Sequence, residues 1–378
     1  MPARSRRIVV AVTADISLSL LTGIPERLVR EGWDVHVVAG GGERLAILDA
    51  TPGVTTHTLP MSRDPDPWGD ARALVRWLRL LRHLRPEVIL VGTPKAGLLG
   101  TLAGFFTRVP IRIYHVRGLR LETTTGFTRR VLTVLEKAAL RCATTALCVS
   151  QSLAERLVEL RLTSADRVVV LGRGSSNGVD TARFAPGPAP AVTGLDPSVP
   201  VVGFVGRLNH DKGLDILAAA SGILEHDGVD HQLLIVGGMD GSDLEAFQDF
   251  RRTPVVTGQV ADVAAYYPTM RVLCLPTRRE GFPNVVLEAS SSATAVVTTD
   301  ATGAVDSVED GVTGIIVPVG DAQSLARALT RLVQDDDLAR RMGLAGRELV
   351  LAEFSRDRVQ DALCAFLDDL REVAVTRG

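Results

Sequence analysis

Glu280 and Glu288, with seven residues between them, flank the turn-forming run Gly281-Phe282-Pro283-Asn284. Just upstream, Val272-Leu273-Cys274-Leu275-Pro276 is an apolar run ending at a proline, the pattern of a buried strand reaching the edge of its sheet. Gly281 permits a tight turn. Pro283 suits the first turn of a helix, because its φ is already helical and its missing N–H is one that a helix start leaves unpaired. Such a start aims free backbone N–H groups outward and favours phosphate. Glu280, ahead of the turn, can accept hydrogen bonds from hydroxyls, and Glu288, on the helix, can reach a second set farther along the same ligand. A sugar and a ribose joined through phosphate present those two sets. Taken singly, Glu280 also reads as a surface carboxylate and Glu288 as a residue stabilised by the helix dipole.

A second cluster is Gly206-Arg207-Leu208-Asn209-His210-Asp211-Lys212-Gly213, where an apolar run ends and two cations follow with four residues between them. Breaking a sugar–phosphate bond leaves extra negative charge on the diphosphate, which fixed cations in a water-poor cleft stabilise. A solvated charged loop has the same composition. In Ile113-Tyr114-His115-Val116-Arg117-Gly118, His115 closes another apolar run, where a histidine is more often a core hydrogen-bonding group than a reactive one. Two clusters of metal-like composition have plainer readings. Asp64-Pro65-Asp66 sits among prolines ahead of a helix, not after a buried strand, and His226-Asp227-Gly228-Val229-Asp230-His231 joins a helix to a strand as a turn would. No metal is expected at either.

These side chains need strand ends to carry them. Apolar runs at 8–12, 35–38, 88–91, 111–114, 146–149 and 168–171 alternate with helical patterns. The grammar repeats with runs at 201–205, 233–236, 254–256, 272–275, 295–298 and 315–317. The fold class is therefore α/β, with two doubly wound parallel sheets that bind ligands outside the carboxyl ends of their strands. The run Ala185-Pro186-Gly187-Pro188-Ala189-Pro190 breaks both patterns. It predicts a first domain over 1–184, a linker over 185–199 and a second domain over 200–378, with the C-terminal helix able to cross back to the first. A dinucleotide site of the Gly-x-Gly-x-x-Gly type is not expected, since Thr13-Ala14-Asp15 follows the first run and Gly40-Gly41-Gly42 lacks the spacing.

At 378 residues and 46% hydrophobic composition the chain can bury two cores. Its cysteines, Cys142, Cys148, Cys274 and Cys364, form no Cys-x-x-Cys pair, so neither disulfides nor zinc are implied. Ser5-Arg6-Arg7 ahead of an apolar run resembles an export signal, but Asp15 interrupts the run and a first buried strand explains it. No apolar run is long enough for a transmembrane helix. Charge is uneven: residues 1–184 hold 26 Lys/Arg against 16 Asp/Glu (+10), and residues 185–378 hold 16 against 28 (−12). A basic half suits a membrane surface or a phosphate-rich ligand. Arg72, Arg76, Arg79 and Arg82 recur at helical spacing beside Leu74, Trp77, Leu78, Leu80 and Leu81. Nucleic acid is not expected, because no aromatic stacking platform accompanies the charge.

The Glu-x7-Glu spacing, followed by Asp300-Ala301-Thr302-Gly303-Ala304-Val305-Asp306 and Asp310-Gly311-Val312-Thr313-Gly314, resembles the family-4 retaining glycosyltransferases of the GT-B fold. That resemblance implies two facing Rossmann-like domains with a cleft between them. It implies that Arg207 and Lys212 bind the donor diphosphate, that Glu280 meets the transferred sugar together with Gly281, Phe282, Pro283 and Asn284, and that Glu288 binds the ribose. His115 is implied to contact the donor sugar. Backbone N–H groups would replace a metal, so no cofactor is expected. The chain departs from the family pattern in Ser290-Ser291-Ser292-Ala293-Thr294-Ala295, where Ala293 and Ala295 stand in for glycine and proline. Alanine follows most such backbones at modest cost unless φ is positive.

Thr93-Pro94-Lys95-Ala96-Gly97, Tyr114-His115-Val116-Arg117-Gly118, Val149-Ser150-Gln151-Ser152 and Gly174-Ser175-Ser176-Asn177-Gly178 are similar to bacterial capsule and exopolysaccharide members. This implies a nucleotide-sugar donor, with UDP expected, and a lipid-linked saccharide acceptor of the undecaprenyl-diphosphate type, met by Lys95 and Arg117. It also implies a cytoplasmic enzyme peripheral to the anionic inner face of the membrane. A nucleotide-sugar epimerase of the same architecture, or a donor-binding partner subunit with weak activity, would share the donor site.

Overall fold

In the computed structural model of the chain, residues 6–62, 66–238 and 251–376 are described. The chain divides into two compact units, residues 1–177 with 357–378, and residues 178–356.

The first unit runs β1 (Arg7–Ala11), α1 (Ile24–Arg30), β2 (Asp34–Ala39), α2 (Glu43–Asp49), β3 (Val54–Thr58), α3 (Pro67–Leu84), β4 (Val88–Gly92), α4 (Pro94–Phe106), β5 (Ile111–Val116), α5 (Gly126–Cys142), β6 (Thr145–Cys148), α6 (Gln151–Glu159) and β7 (Val168–Val170). The strands are parallel in the order β3-β2-β1-β4-β5-β6-β7. Winding reverses between β1 and β4, and the interior strands are mostly apolar and buried because helices cover both faces, with His36 in β2 and His115 in β5 as buried polar exceptions. One face packs Ile8, Val10, Val35 and Val37 against Ile24 and Leu28 of α1 and against Leu363, Cys364 and Leu367 of the terminal helix. The other packs Val9, Ala11, Ile89 and Val91 against Trp77 and Leu81 of α3 and Leu99 and Ala103 of α4. Strand β3 lies outside the runs expected above. It is an edge strand, Val54-Thr55-Thr56-His57-Thr58, and only Val54 is buried.

The second unit runs β8 (Val201–Val205), α7 (Leu214–His226), β9 (Gln232–Val236), β10 (Val255–Gly258), β11 (Val272–Leu275), α8 (Asn284–Ser291), β12 (Ala295–Thr299), β13 (Ile315–Val317), α9 (Ala322–Gln334) and α10 (Asp336–Leu349), and α11 (Arg356–Thr376) then returns to the first unit. Its strand order, β10-β9-β8-β11-β12-β13, repeats the winding of the first sheet. All six apolar runs expected here are strands. The division falls at Asn177 and Gly178, ahead of the expected junction at Phe184. Phe184 already belongs to the second unit, where its ring meets Tyr267 and its carbonyl accepts from Ser291 Oγ. The proline-rich run follows that anchor and does not mark the break. Among the described residues no helix is long and apolar enough to cross a membrane, and all four cysteines are free.

Inside the first unit, the Tyr114 hydroxyl from β5 hydrogen-bonds Glu136 on α5, and burial pushes the Glu136 carboxyl up to about 7. An acid whose folded pKa exceeds its unfolded value contributes stability that is complete below about 4.5 and is lost as pH rises through 7. Glu136→Gln keeps an acceptor for Tyr114 and removes the charge. The variant is expected to exceed the wild type by up to about 3 kcal/mol at pH 8, with the gap closing toward pH 4.5, in denaturant melts run across that range.

Candidate active site

Arg207 and Lys212 sit on the loop at the carboxyl end of β8 and Glu280 on the loop after β11, next to a third loop after β12. After β8 the chain makes a short 3₁₀ turn, His210–Lys212, and enters α7 through Gly213 at φ +72°. A side chain there would lie 2.0 Å from the Pro276 carbonyl oxygen at the end of β11, so only glycine lets the two loops touch. Gly303, at φ +77°, does the same after β12, where a Cβ would come within 2.2 Å of the Gly281 oxygen.

Polar contacts hold the loops in register. Thr277 Oγ1 and the Arg278 amide both donate to the Asp211 carbonyl, at 3.0 and 2.8 Å. Arg278 grips Asp215 with both terminal nitrogens at 2.8 and 2.6 Å. Arg279 pairs with Asp211, and the Glu280 amide donates to the Thr302 carbonyl at 3.0 Å. The outcome is an ion pair between Lys212 Nζ and Glu280 Oε1, with side chains only 18% and 12% exposed. Arg207, at the start of the same loop, is exposed. The arginine–aspartate clamps escaped the sequence reading. Their signal was the alternation of opposite charges in Asp211-Lys212 and Asp215 against Arg278-Arg279-Glu280.

Gly281, Phe282 and Pro283 are buried, and α8 begins at Asn284. Pro283 is thus the residue before the helix, not a member of its first turn. The Phe282 ring packs on Phe354 with centroids 5.4 Å apart, which leaves its backbone as the part able to face a ligand. On α8, Glu288 Oε2 accepts a 2.7 Å hydrogen bond from the Tyr267 hydroxyl. Burial raises the Glu288 pKa, while Tyr267 and the nearby Arg183 cation oppose that rise.

The first-unit candidates form a separate group. His115, on β5, is buried, and its Nδ1 lies 3.0 Å from Arg117 Nη2. Burial, and then the Arg117 cation, holds His115 well below its ordinary pKa, so the ring is neutral at pH 7. Burial pulls Arg117 down to about 9, and its Nε and Nη1 are enclosed with no hydrogen-bond partner among the described residues. Lys95, in the first turn of α4, is bound to both Asp70 oxygens at 2.7 and 2.6 Å. Asp64 lies outside the described residues, and Asp66 caps α3 by accepting from the Gly69 amide. Both ring nitrogens of His231 are engaged, one with Ser221 Oγ at 2.6 Å and the other with the Val229 carbonyl at 2.9 Å. Among the described residues, no group of three or more His, Cys, Asp or Glu side chains is placed to hold a metal ion.

Residues 21–174 match the family described as "Glycosyl transferase 4-like domain", and residues 199–335 match "Glycosyl transferases group 1". The capsular polysaccharide biosynthesis glycosyltransferase CapM of Staphylococcus aureus is 35% identical over 377 residues, covering 95% of this chain and 96% of CapM. The chain belongs to the GT-B glycosyltransferases of the family-4-like class. A GDP-mannose-dependent alpha-mannosyltransferase of Mycolicibacterium smegmatis is 31% identical over 368 residues, 91% of this chain and 92% of that one. Among solved structures, Anabaena HepE in complex with UDP-glucose shares the fold with a TM-score of 0.76 at 17% identity, covering 96% of this chain and 99% of its own.

The departure of this glycosyltransferase from the family pattern after Glu288 is built into the packing. Ser290, Ser291, Ser292 and Thr294 are all buried. Ser291 Oγ donates to the Phe184 carbonyl at 2.5 Å, Ser292 Oγ to the Glu288 carbonyl at 3.0 Å and Thr294 Oγ1 to the Tyr267 carbonyl at 3.0 Å. Arg347 donates to the Ser291 carbonyl. Ala293, however, has φ +60°, the one condition under which alanine is costly there. The turn cannot relax outward, because Gly343 of α10 lies so close that a Cβ on it would be 2.0 Å from the Ala293 oxygen. Left-handed backbone costs an alanine about 1–2 kcal/mol. Ala293→Gly is expected to recover part of this, raising stability by about 1 kcal/mol in a chemical melt without altering the Ser291 and Thr294 contacts.

Proposed function

We propose that this glycosyltransferase moves a sugar, with retention, from a UDP-sugar to a lipid-linked saccharide. The Lys212–Glu280 contact carries the reading, because it brings together a cation suited to a departing diphosphate and a carboxylate suited to sugar hydroxyls. In the reaction the acceptor hydroxyl oxygen bonds to the anomeric carbon on the face that the diphosphate leaves, while the bond from that carbon to the diphosphate breaks, its electron pair leaving with the phosphate oxygen, which takes up the hydroxyl proton. Arg207 and Lys212 offset that charge, and the backbone at the start of α8 supplies further N–H donors, so the field a metal would provide is already present. Glu280 then accepts from the sugar and Glu288 from the ribose. The Staphylococcus aureus relative, a capsular polysaccharide biosynthesis glycosyltransferase, supports a cell-surface glycan as product. The UDP-glucose complex of HepE supports the uridine base, and the mannosyltransferase relative makes GDP-mannose the comparison to run. The neutral state of His115 suits a hydrogen-bonding contact rather than a base. The enclosed Nε and Nη1 of Arg117, with no hydrogen-bond partner among the described residues, support an acceptor-binding role for the first unit. Lys95, already held by Asp70, would have to exchange partners to join it.

The lipid acceptor also calls for a membrane surface. Helix α3 buries Ala73, Trp77, Leu81 and Leu84 and leaves Arg72, Arg76, Arg79 and Arg82 exposed beside Trp68, which is 80% exposed. Helix α5 likewise begins with an 80% exposed Phe127 next to exposed Arg129 and Arg130. Aromatic anchors among arginines suit an anionic cytoplasmic leaflet.

The variants should fail differently. Glu280→Gln is expected to cut turnover while leaving UDP affinity nearly intact, whereas Arg207→Ala or Lys212→Ala should weaken UDP itself, by about tenfold or more. Equal loss of UDP affinity in all three, measured by calorimetry, would overturn the assignment. In the same activity assay EDTA should change nothing, and the melting shift should be larger with UDP than with GDP at equal concentration. Liposome co-sedimentation should require anionic lipid and fall steeply with salt, since each basic residue near the surface is worth about 1 kcal/mol and is screened within a Debye length. Replacing Arg72, Arg76 and Arg79 with Glu should lower it further and spare donor hydrolysis. Equal binding to neutral vesicles would defeat the membrane claim.

A further inference from the structure

The geometry points to Tyr267 as a positioning residue that sets which oxygen of Glu288 is offered to the nucleotide. This inference rests on the proposed role of Glu288 at the ribose. Tyr267 lies on the 3₁₀ turn Ala264–Thr269 ahead of β11 and is wholly buried. Its hydroxyl donates to Glu288 Oε2 at 2.7 Å, which fixes the carboxylate plane and leaves Oε1 as the oxygen able to accept from a ligand.

The phenol itself has little freedom. Its ring meets Phe184 edge-on at 5.9 Å, and its carbonyl accepts from Thr294 Oγ1 and from the Met270 amide, both at 3.0 Å. Phe184 in turn accepts from Ser291 Oγ at the end of α8. Tyr267 is therefore referenced through its ring to the end of the helix that carries Glu288, and through its backbone to Thr294 just beyond that helix. A side chain whose rotamer is locked by a hydrogen-bonded neighbour presents its ligand-binding atom without the entropic cost of ordering it on binding. The phenol also acts on charge. Burial favours the protonated carboxyl, which could accept fewer hydroxyls, and the Tyr267 hydrogen bond favours the ionised form. The Arg183 cation, paired with Asp262 at 2.7 Å, acts in the same direction.

Tyr267→Phe removes only the hydroxyl. Binding of UDP and of 2′,3′-dideoxy-UDP is measured by calorimetry from pH 5 to 8 for the wild type, Tyr267→Phe and Glu288→Gln, with the guanine pair substituted if the wild type prefers GDP. Tyr267→Phe is expected to lose about tenfold in affinity for UDP and less than twofold for the dideoxy compound. Its UDP affinity should also rise with pH along a curve displaced to higher pH than that of the wild type, while kcat at saturating donor stays within about twofold. An equal loss for both nucleotides, or an undisplaced pH curve, would reduce Tyr267 to packing and overturn the inference. If Glu288→Gln binds both nucleotides as the wild type does, the ribose role of Glu288 falls first. If Glu288→Gln loses affinity for UDP but not for the dideoxy compound, and Tyr267→Phe loses affinity for neither, the ribose role stands and the positioning role fails.

Discussion

The second unit of this glycosyltransferase is organised around one ion pair, Lys212 with Glu280, whose members are 68 positions apart in sequence and largely withdrawn from water. Withdrawing an ammonium and a carboxylate costs several kcal/mol per ion, and their attraction offsets that only if the geometry is held. The surrounding residues hold it. Asp211 and Asp215 fasten the Lys212 loop to Thr277, Arg278 and Arg279, and Thr302 and Gly303 hold the turn that presents Glu280. The two charges thereby compensate each other. On the proposed reading, a ligand bearing only phosphate would satisfy Lys212 and strand Glu280, and a free sugar would do the reverse. A molecule carrying both, joined at the right distance, replaces the pair without leaving either charge alone.

Much of this was legible in the sequence, and the limits have physical causes. Buried parallel strands are continuous apolar runs, so the second sheet could be read run by run. Strand β3 could not, because an edge strand with one buried residue, Val54, carries β-branched threonines but no apolar run. The types and spacing of Arg207, Lys212, Glu280 and Glu288 raised the expectation of a donor site, yet no local pattern says that Lys212 and Glu280 touch, since that depends on loops meeting through Gly213 and Gly303. Likewise the sign of φ at Ala293 is imposed by the approach of Gly343, fifty positions onward in the chain and invisible to any short window. The partner of Lys95 was hidden for the same reason, Asp70 lying on the preceding helix. The proline-rich run drew the domain junction toward itself because proline signals a break, whereas Phe184, ahead of it, is already tied to Ser291.

The return of α11 to the first unit has a consequence for the order in which the protein can be made. Leu363, Cys364 and Leu367 complete the core beside Ile8, Val10 and Val35, and Arg27, Glu87 and Trp33 wait for Asp361 and Arg371. A ribosome adding about 5–20 residues per second emits the whole second unit before those groups exist, a delay on the order of ten seconds or more. The second unit, contiguous from residue 178 to residue 356, can close as soon as it emerges. The unit translated first must therefore keep part of one apolar face of its sheet uncovered until α11 has been made, and a helix separated from it by the whole second unit is its final piece of core.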